Sequence, residues 1–295
     1  MLLVPVVVVG SLLAVAVGLR DRRDSGAGMI AARAVERSRD LWLSSPLAFA
    51  WRSTIGTLLS WAVGIAALGA VAGAMLPSLE EFVAGDPAYA ELMATFGIDL
   101  ADISLGYVAM MGVITGLVMA LYVTWRVGAA RAEEDSQRLD QLLVRPVLRW
   151  RWLGGHVLLA AVAVLLLTGT AATATWACAA VVGADLAYAD AAAAVLNTLP
   201  LVALFLGLAV FLFGVAPRLV VPVGASATMV AYVLNFVGPP LDWPEPLVAL
   251  SPFHHLEMVP VDPVGASAAV VMGVLALGFV VAGMVAFQRR DVVGG

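Results

Sequence analysis

The sequence predicts an all-α integral membrane protein with seven transmembrane helices, its N-terminus outside and its C-terminus inside. Three observations carry that prediction. First, 62% of the 295 residues are hydrophobic and 13% are charged, whereas soluble domains are about half apolar and about a quarter charged; mean hydropathy is +0.98. Second, the apolar residues come in unbroken blocks of about 20, the length a helix needs to cross a bilayer. Third, every basic residue falls on one side of the topology those blocks define.

The blocks are Leu2–Leu19, Ile55–Leu76, Gly106–Trp125, Val157–Val182, Ala191–Gly214, Leu219–Leu241 and Val264–Phe287. Most are rich in Gly, Ala and Val, which lets helices pack closely in lipid. Leu2–Leu19 does not read as a secretory signal, because its arginines follow the apolar run and no small-residue cleavage site intervenes. With the N-terminus outside, the inside connections receive Arg20, Arg22, Arg23, Arg33, Arg37, Arg39, Arg52, Arg126, Arg131, Arg138, Arg145, Arg149, Arg151, Arg218, Arg289 and Arg290, all 16 basic residues of a chain without lysine. The outside connections hold none, yet carry Glu80, Glu81, Asp86, Glu91, Asp99, Asp102, Asp185, Asp190, Asp242, Glu245, Glu257 and Asp262. Basic residues are retained on the cytoplasmic side. One missed or invented helix would scramble so complete a separation.

The spans carry little chemistry. No Asp, Glu or Arg lies within them, which argues against a proton relay, because intramembrane ionisable groups mark such paths. Asn197 and Asn235 are the conspicuous polar residues and are expected to bond neighbouring helices. Without lysine the chain cannot form a Walker A loop, so any ATP must be bound by another polypeptide. Cys178 is the one cysteine, which excludes an internal disulfide or a CxxC metal site. His254 and His255 lie near Glu257 and Asp262 in an outside loop, but neighbouring histidines diverge by about 100° on a helix and more on a strand. They are read as ordinary loop residues, and no metal is expected. GxSxG, HExxH and paired-carboxylate patterns are absent, so no catalytic residue, bound cofactor or nucleic-acid partner is assigned.

Two segments echo one another: LRDRRDSGAG at 19–28 and FQRRDVVGG at 287–295. Each is an apolar span closing in Arg-Arg-Asp and a glycine-bearing tail. On that pattern, residues 1–24 are an extra N-terminal helix, 25–54 a cytoplasmic amphipathic linker, and 55–295 a six-helix domain. The chain is then expected to be the second half of a two-half protein.

The cytoplasmic segment RAEEDSQRLDQLLVRPVLRWRW, residues 131–152, crowds nine charged residues into 22 positions. Its first part predicts a helix from Arg131 to Val144, with Glu133, Glu134 and Asp135 in the opening turn, where the dipole favours acids. Leu139, Leu142 and Leu143 share a face with Ala132, and Pro146 stops the helix. Trp150 and Trp152 among arginines suit a membrane interface. Periodicity leaves open whether this helix lies on the membrane surface or plugs into a partner.

The segment resembles the first cytoplasmic loop of ABC-2 type permeases of the tetronasin or polyketide-antibiotic exporter kind. The pattern is carried by Glu133, Glu134, Arg138, Asp140, Leu142, Leu143, Pro146, Val147, Arg149, Trp152 and His156, with Gln137 in place of the usual glycine. SSPLAFAWRSTIGTLLSWAVG at 44–64 and LSPFHH at 250–255 are similar to two further stretches of that family. The resemblance implies an ABC-2 type six-helix core in a prokaryotic plasma membrane, exporting amphipathic or hydrophobic small molecules. It implies two partner ATPase subunits using ATP and Mg, and a second permease half as a separate chain or a second copy. Residues Glu133 to Arg149 of the pattern would couple to the ATPase. Trp51, Arg52, Trp150 and Trp152 would sit at the interface, and Pro252, His254 and His255 in the last outside loop. A secondary carrier or channel without an ATPase, and a membrane-anchored regulatory subunit, remain the competing readings.

Overall fold

Apolar runs of this length can satisfy their backbone in hydrocarbon as helices. The computed structural model describes residues 46–85, 95, 103–135 and 149–289, and among these it contains helices and turns with no strand. All of them but Pro46 fall in one compact unit, Leu47–Gly295. In chain order the helices are α1 (Pro46–Ala74), α2 (Leu76–Gly85), α3 (Ile103–Asp135), α4 (Arg149–Val181), α5 (Tyr188–Leu196), α6 (Leu199–Val215), α7 (Val220–Val237), the single turn α8 (Glu245–Val248) and α9 (Ala266–Arg289). Short 3-10 turns at Pro217–Leu219, Pro239–Leu241 and Pro252–His255 link the later helices.

Six stretches are long and apolar enough to span a membrane: Ile55–Phe82, Ile103–Arg131, Trp152–Val181, Tyr188–Val215, Pro217–Val237 and Ala266–Arg289. Each overlaps one of the predicted blocks; Leu2–Leu19 lies outside the described residues. The chain is therefore a multi-pass membrane protein. Span Tyr188–Val215 is interrupted at Asn197 and Thr198, whose backbones stay near helical values. Pro200 accounts for the interruption, because it cannot donate to the carbonyl of Leu196.

The largest departure from expectation is at α3. The apolar block ends at Trp125, but the helix runs to Asp135. The sequence RVGAARAEED contains no stop signal beyond Gly128, so the helix continues with good formers. Glu133, Glu134 and Asp135 thus continue a helix begun at Ile103 rather than open one, so the N-terminal dipole that favours acids does not act on them. With 33 residues each, α3 and α4 are about 50 Å long at 1.5 Å per residue. That exceeds a hydrocarbon core of about 30 Å, so both helices project well beyond it.

Small residues hold the spans together. Gly207 and Gly214 of α6 lie against Ala276 and Gly283 of α9, and an ideal Cβ on Gly207 or Gly283 would come within 2.5 Å of the opposing backbone. On α3, Gly112 and Gly116 meet Ala194 and Thr198, while Gly128 and Gly224 bring α3 and α7 together through Val221 and Thr124. Gly69 and Gly73 of α1 do the same against Ala171, Thr175 and Ala179 of α4. Where lipid replaces water, such close approach supplies the packing that the hydrophobic effect cannot. The core centres on α3, with Met119, Ala120, Tyr122 and Val123 enclosed by Leu167, Leu201, Val210 and Phe213. Outward faces remain apolar, as with Val270, Val274, Leu277 and Val281 of α9.

Replacing Gly214 by Ala should lower the unfolding midpoint of the detergent-purified protein, at a cost of about 1–3 kcal/mol from overpacking. Gly278→Ala faces open space and should leave that midpoint unchanged or slightly raised. Equal effects of the two substitutions in a thermal-unfolding assay would contradict the seam.

Candidate functional site

Alternation of the spans sorts charge to two ends. Arg131, Arg218 and Arg289 gather at one; Glu80, Asp185, Asp190, Asp242, Glu245, Glu257 and Asp262 gather at the other. The acidic end is tied by polar contacts. Asn197 donates from Nδ2 to the Glu257 carbonyl at 2.8 Å, so it bonds a loop and not the neighbouring helix expected from sequence. Ser104 donates to the Glu80 carboxylate. The Ser251 hydroxyl donates to the Ala231 carbonyl at 2.6 Å and accepts from the Phe253 amide at 3.1 Å. Pro252 opens that 3-10 turn, and Phe253 anchors it between Phe205 and Tyr232, at ring separations of 6.2 and 5.6 Å. His254 and His255 are exposed, with rings edge to face at 5.4 Å. His255 donates from Nε2 to the Ala249 carbonyl at 2.9 Å. Among the described residues no three His, Cys, Asp or Glu side chains converge as metal ligands.

The basic end is held by aromatic rings. Trp152, in the first turn of α4, is half-buried; it stacks on Phe287 of α9 at 6.0 Å and lies 6.1 Å from Phe213 of α6, with those two rings 5.6 Å apart. His156, buried one turn on, meets Trp152 edge-on at 4.6 Å. Trp152 therefore packs inward, whereas Trp150 is exposed. Glu133 and Glu134 lie in the last turn of α3, and Arg149 opens α4. Arg138, Asp140, Leu142, Leu143 and Pro146 lie outside the described residues. Trp51 and Arg52 lie in the second turn of α1. The helix ends that flank positions 136–148 lie at the basic end, and α4 carries its first turn directly into a ring cluster shared with α6 and α9.

A second feature at this end was not anticipated from sequence. Arg126, assigned to a cytoplasmic connection, is a buried residue of α3, with 6% of its surface exposed. One turn earlier, Tyr122 is fully enclosed; Trp61 of α1 meets its ring edge-on at 5.2 Å and lies 6.3 Å from Trp125. Trp61 also lines an open groove of about 340 Å³ with Ser60, Gly64, Ile65 and Leu68 of α1 and Val118 of α3. The available signal was a tyrosine four residues before an arginine at the end of an apolar block. Nothing in the sequence pairs it with Trp61, which is 61 positions away.

Comparison with known proteins supplies the family. Residues 43–288 match the model of the C-terminal domain of the multidrug efflux system permease Rv1217c. The chain is similar to the multidrug efflux system permease protein Rv1217c of Mycobacterium tuberculosis, 30% identical over 278 residues, covering 93% of this chain and 50% of that protein. The chain thus spans about half the length of the relative. The match runs across all six described spans, the basic-end ring cluster and the Ser251 loop, so the chain belongs to the Rv1217c C-terminal domain family of multidrug efflux permeases.

Proposed function

We propose that the chain is one transmembrane half of an ABC-2 type exporter, of the tetronasin or polyketide-antibiotic kind, which moves amphipathic or hydrophobic drug-like molecules outward. The observation that carries this reading is the match of residues 43–288 to an efflux permease domain, laid over six apolar spans. ATP and Mg are used by two separate ATPase subunits, since a chain without lysine cannot hold nucleotide phosphates in a Walker A loop. The second permease half is a separate chain or a second copy; the relative's double length supports a two-half assembly. Residues 1–24, 25–54 and 55–295 serve as an extra helix, a cytoplasmic linker and the six-helix domain.

In this mechanism the basic end faces the cytoplasm, leaving the N-terminus outside and the C-terminus inside, because basic residues are retained on that side. The ATPase engages the segment 131–152 through Glu133, Glu134, Arg138, Asp140, Leu142, Leu143, Pro146 and Arg149. Movement of that segment enters α3 and α4 at their projecting ends. Trp152 passes it to Phe213 and Phe287, and so to α6 and α9, which move as a pair because their backbones touch. Substrate leaves through the interface between halves as the pair rocks.

Co-expression with a candidate ABC ATPase tests the coupling. Leu142→Ala with Leu143→Ala, or Glu134→Lys, should lower drug-stimulated ATP hydrolysis about tenfold while membrane insertion is unchanged. Full stimulation in both variants would refute the role of the segment.

Topology is open to cysteine labelling in a Cys178→Ser background. Glu245→Cys should react with an impermeant maleimide in intact cells, and Arg218→Cys only after permeabilisation. The reverse pattern would invert the orientation.

A further inference from the structure

Buried hydroxyls in the spans follow one rule. Thr115, Thr124, Thr168, Thr175 and Thr228 each donate to the carbonyl four residues back in their own helix, and Thr198 donates to Val195. Among the described residues Tyr122 departs from it, its hydroxyl enclosed and without a hydrogen-bond partner. Phenylalanine would keep every ring contact and remove the orphaned group, so packing alone gives no reason for the hydroxyl.

The surroundings suggest what the hydroxyl serves. Trp61 covers the Tyr122 ring and is also a wall of the groove between α1 and α3. Val118, on the opposite wall, is one helical turn from Tyr122 on the same face of α3. Ser60 and Gly64 leave the α1 side hollow, and a Cβ on Gly64 would meet nothing within 4 Å. The six lining side chains carry no charge, although buried Arg126 lies one turn beyond Tyr122 and acts on it electrostatically; the groove is open on one side, and its volume of about 340 Å³ lies at the small end of the range for ligand sites, about 300–1,000 Å³.

The geometry points to a binding site for an uncharged planar aromatic molecule bearing one hydrogen-bond acceptor. Its ring lies on Trp61 among Ile65, Leu68 and Val118, and its acceptor takes the Tyr122 hydroxyl when Trp61 turns aside. A lipid acyl chain would fill the same hollow but offers nothing to that hydroxyl. The inference rests on the efflux reading and adds to it a site within one half, reached from the α1–α3 groove instead of the interface between halves.

The test uses Nile red, a neutral planar dye with a ring carbonyl, and its diazirine derivative, on the full assembly in membrane vesicles. The derivative should label residues 55–68 or 118–122, and unmodified dye should displace it. Tyr122→Phe should weaken dye affinity about tenfold, as expected for one lost hydrogen bond, while raising the unfolding temperature; a purely structural tyrosine would not separate the two. Gly64→Leu, which fills open space, should abolish labelling. Unchanged affinity in Tyr122→Phe, or labelling that survives Gly64→Leu, overturns the site. So does labelling by an acyl-chain diazirine lipid that the dye cannot displace. If wild-type vesicles bind the dye here but show no ATP-dependent export of it, the efflux reading fails and the site stands.

Discussion

Backbone contact between α6 and α9 is the constraint on which the rest of the molecule depends. In hydrocarbon, gathering apolar side chains releases no water, so a helix pair is held by how closely its surfaces approach. Gly207 and Gly214 meet Ala276 and Gly283 at the same two heights, seven residues apart on both helices. Two such contacts define a line, and a line resists both sliding and rotation. The outward face of α9 can then be given over to valine and leucine, because none of its stability comes from that side.

From this rigid pair the two ends of the molecule diverge in kind. At the acidic end the irregular backbone after α7 needs partners, and Ser251 and Asn197 supply them through carbonyls of Ala231 and Glu257. The Asn197 bond ties the loop to the break before Pro200, and the Ser251 bond ties it to α7. At the basic end the ties are rings, Trp152 with Phe213 and Phe287. Ring contacts are less directional than hydrogen bonds and tolerate small rotations. Polar ties hold the acidic-end loop in one geometry, while aromatic ones set less strict limits on the basic ends of α4, α6 and α9. That asymmetry suits a protein whose proposed drive arrives at the basic end.

Legibility followed the strength of the physical signal. Six spans could be read because an unsatisfied backbone in lipid is so costly that sequence must announce each helix with an apolar block. The end of α3 could not, because hydropathy reports where lipid stops and not where a helix stops: RVGAARAEED is polar and still helical. Arg126 was misplaced for the same reason. An arginine just past an apolar block looks like a loop residue until the helix is known to continue and neighbours are known to enclose it. The role first given to Trp152 illustrates a second limit. A tryptophan among arginines suits an interface, but nothing in the sequence shows that its ring also packs on Phe213 and Phe287, which lie 61 and 135 positions away.

The sequence by itself determined that this is a membrane protein, how its described spans alternate, which end is basic, and that nucleotide chemistry in a Walker A loop must lie elsewhere. Each of these is a property of composition along the chain, and composition is local. Tertiary structure alone decided which glycines face a neighbour and which face open space, and that Trp61 closes over Tyr122. It also left one buried hydroxyl without a hydrogen-bond partner near an open groove lined by uncharged side chains. Those facts depend on which face of one helix meets which face of another. In lipid that choice is made by small differences in surface shape, which leave no periodic mark in the sequence.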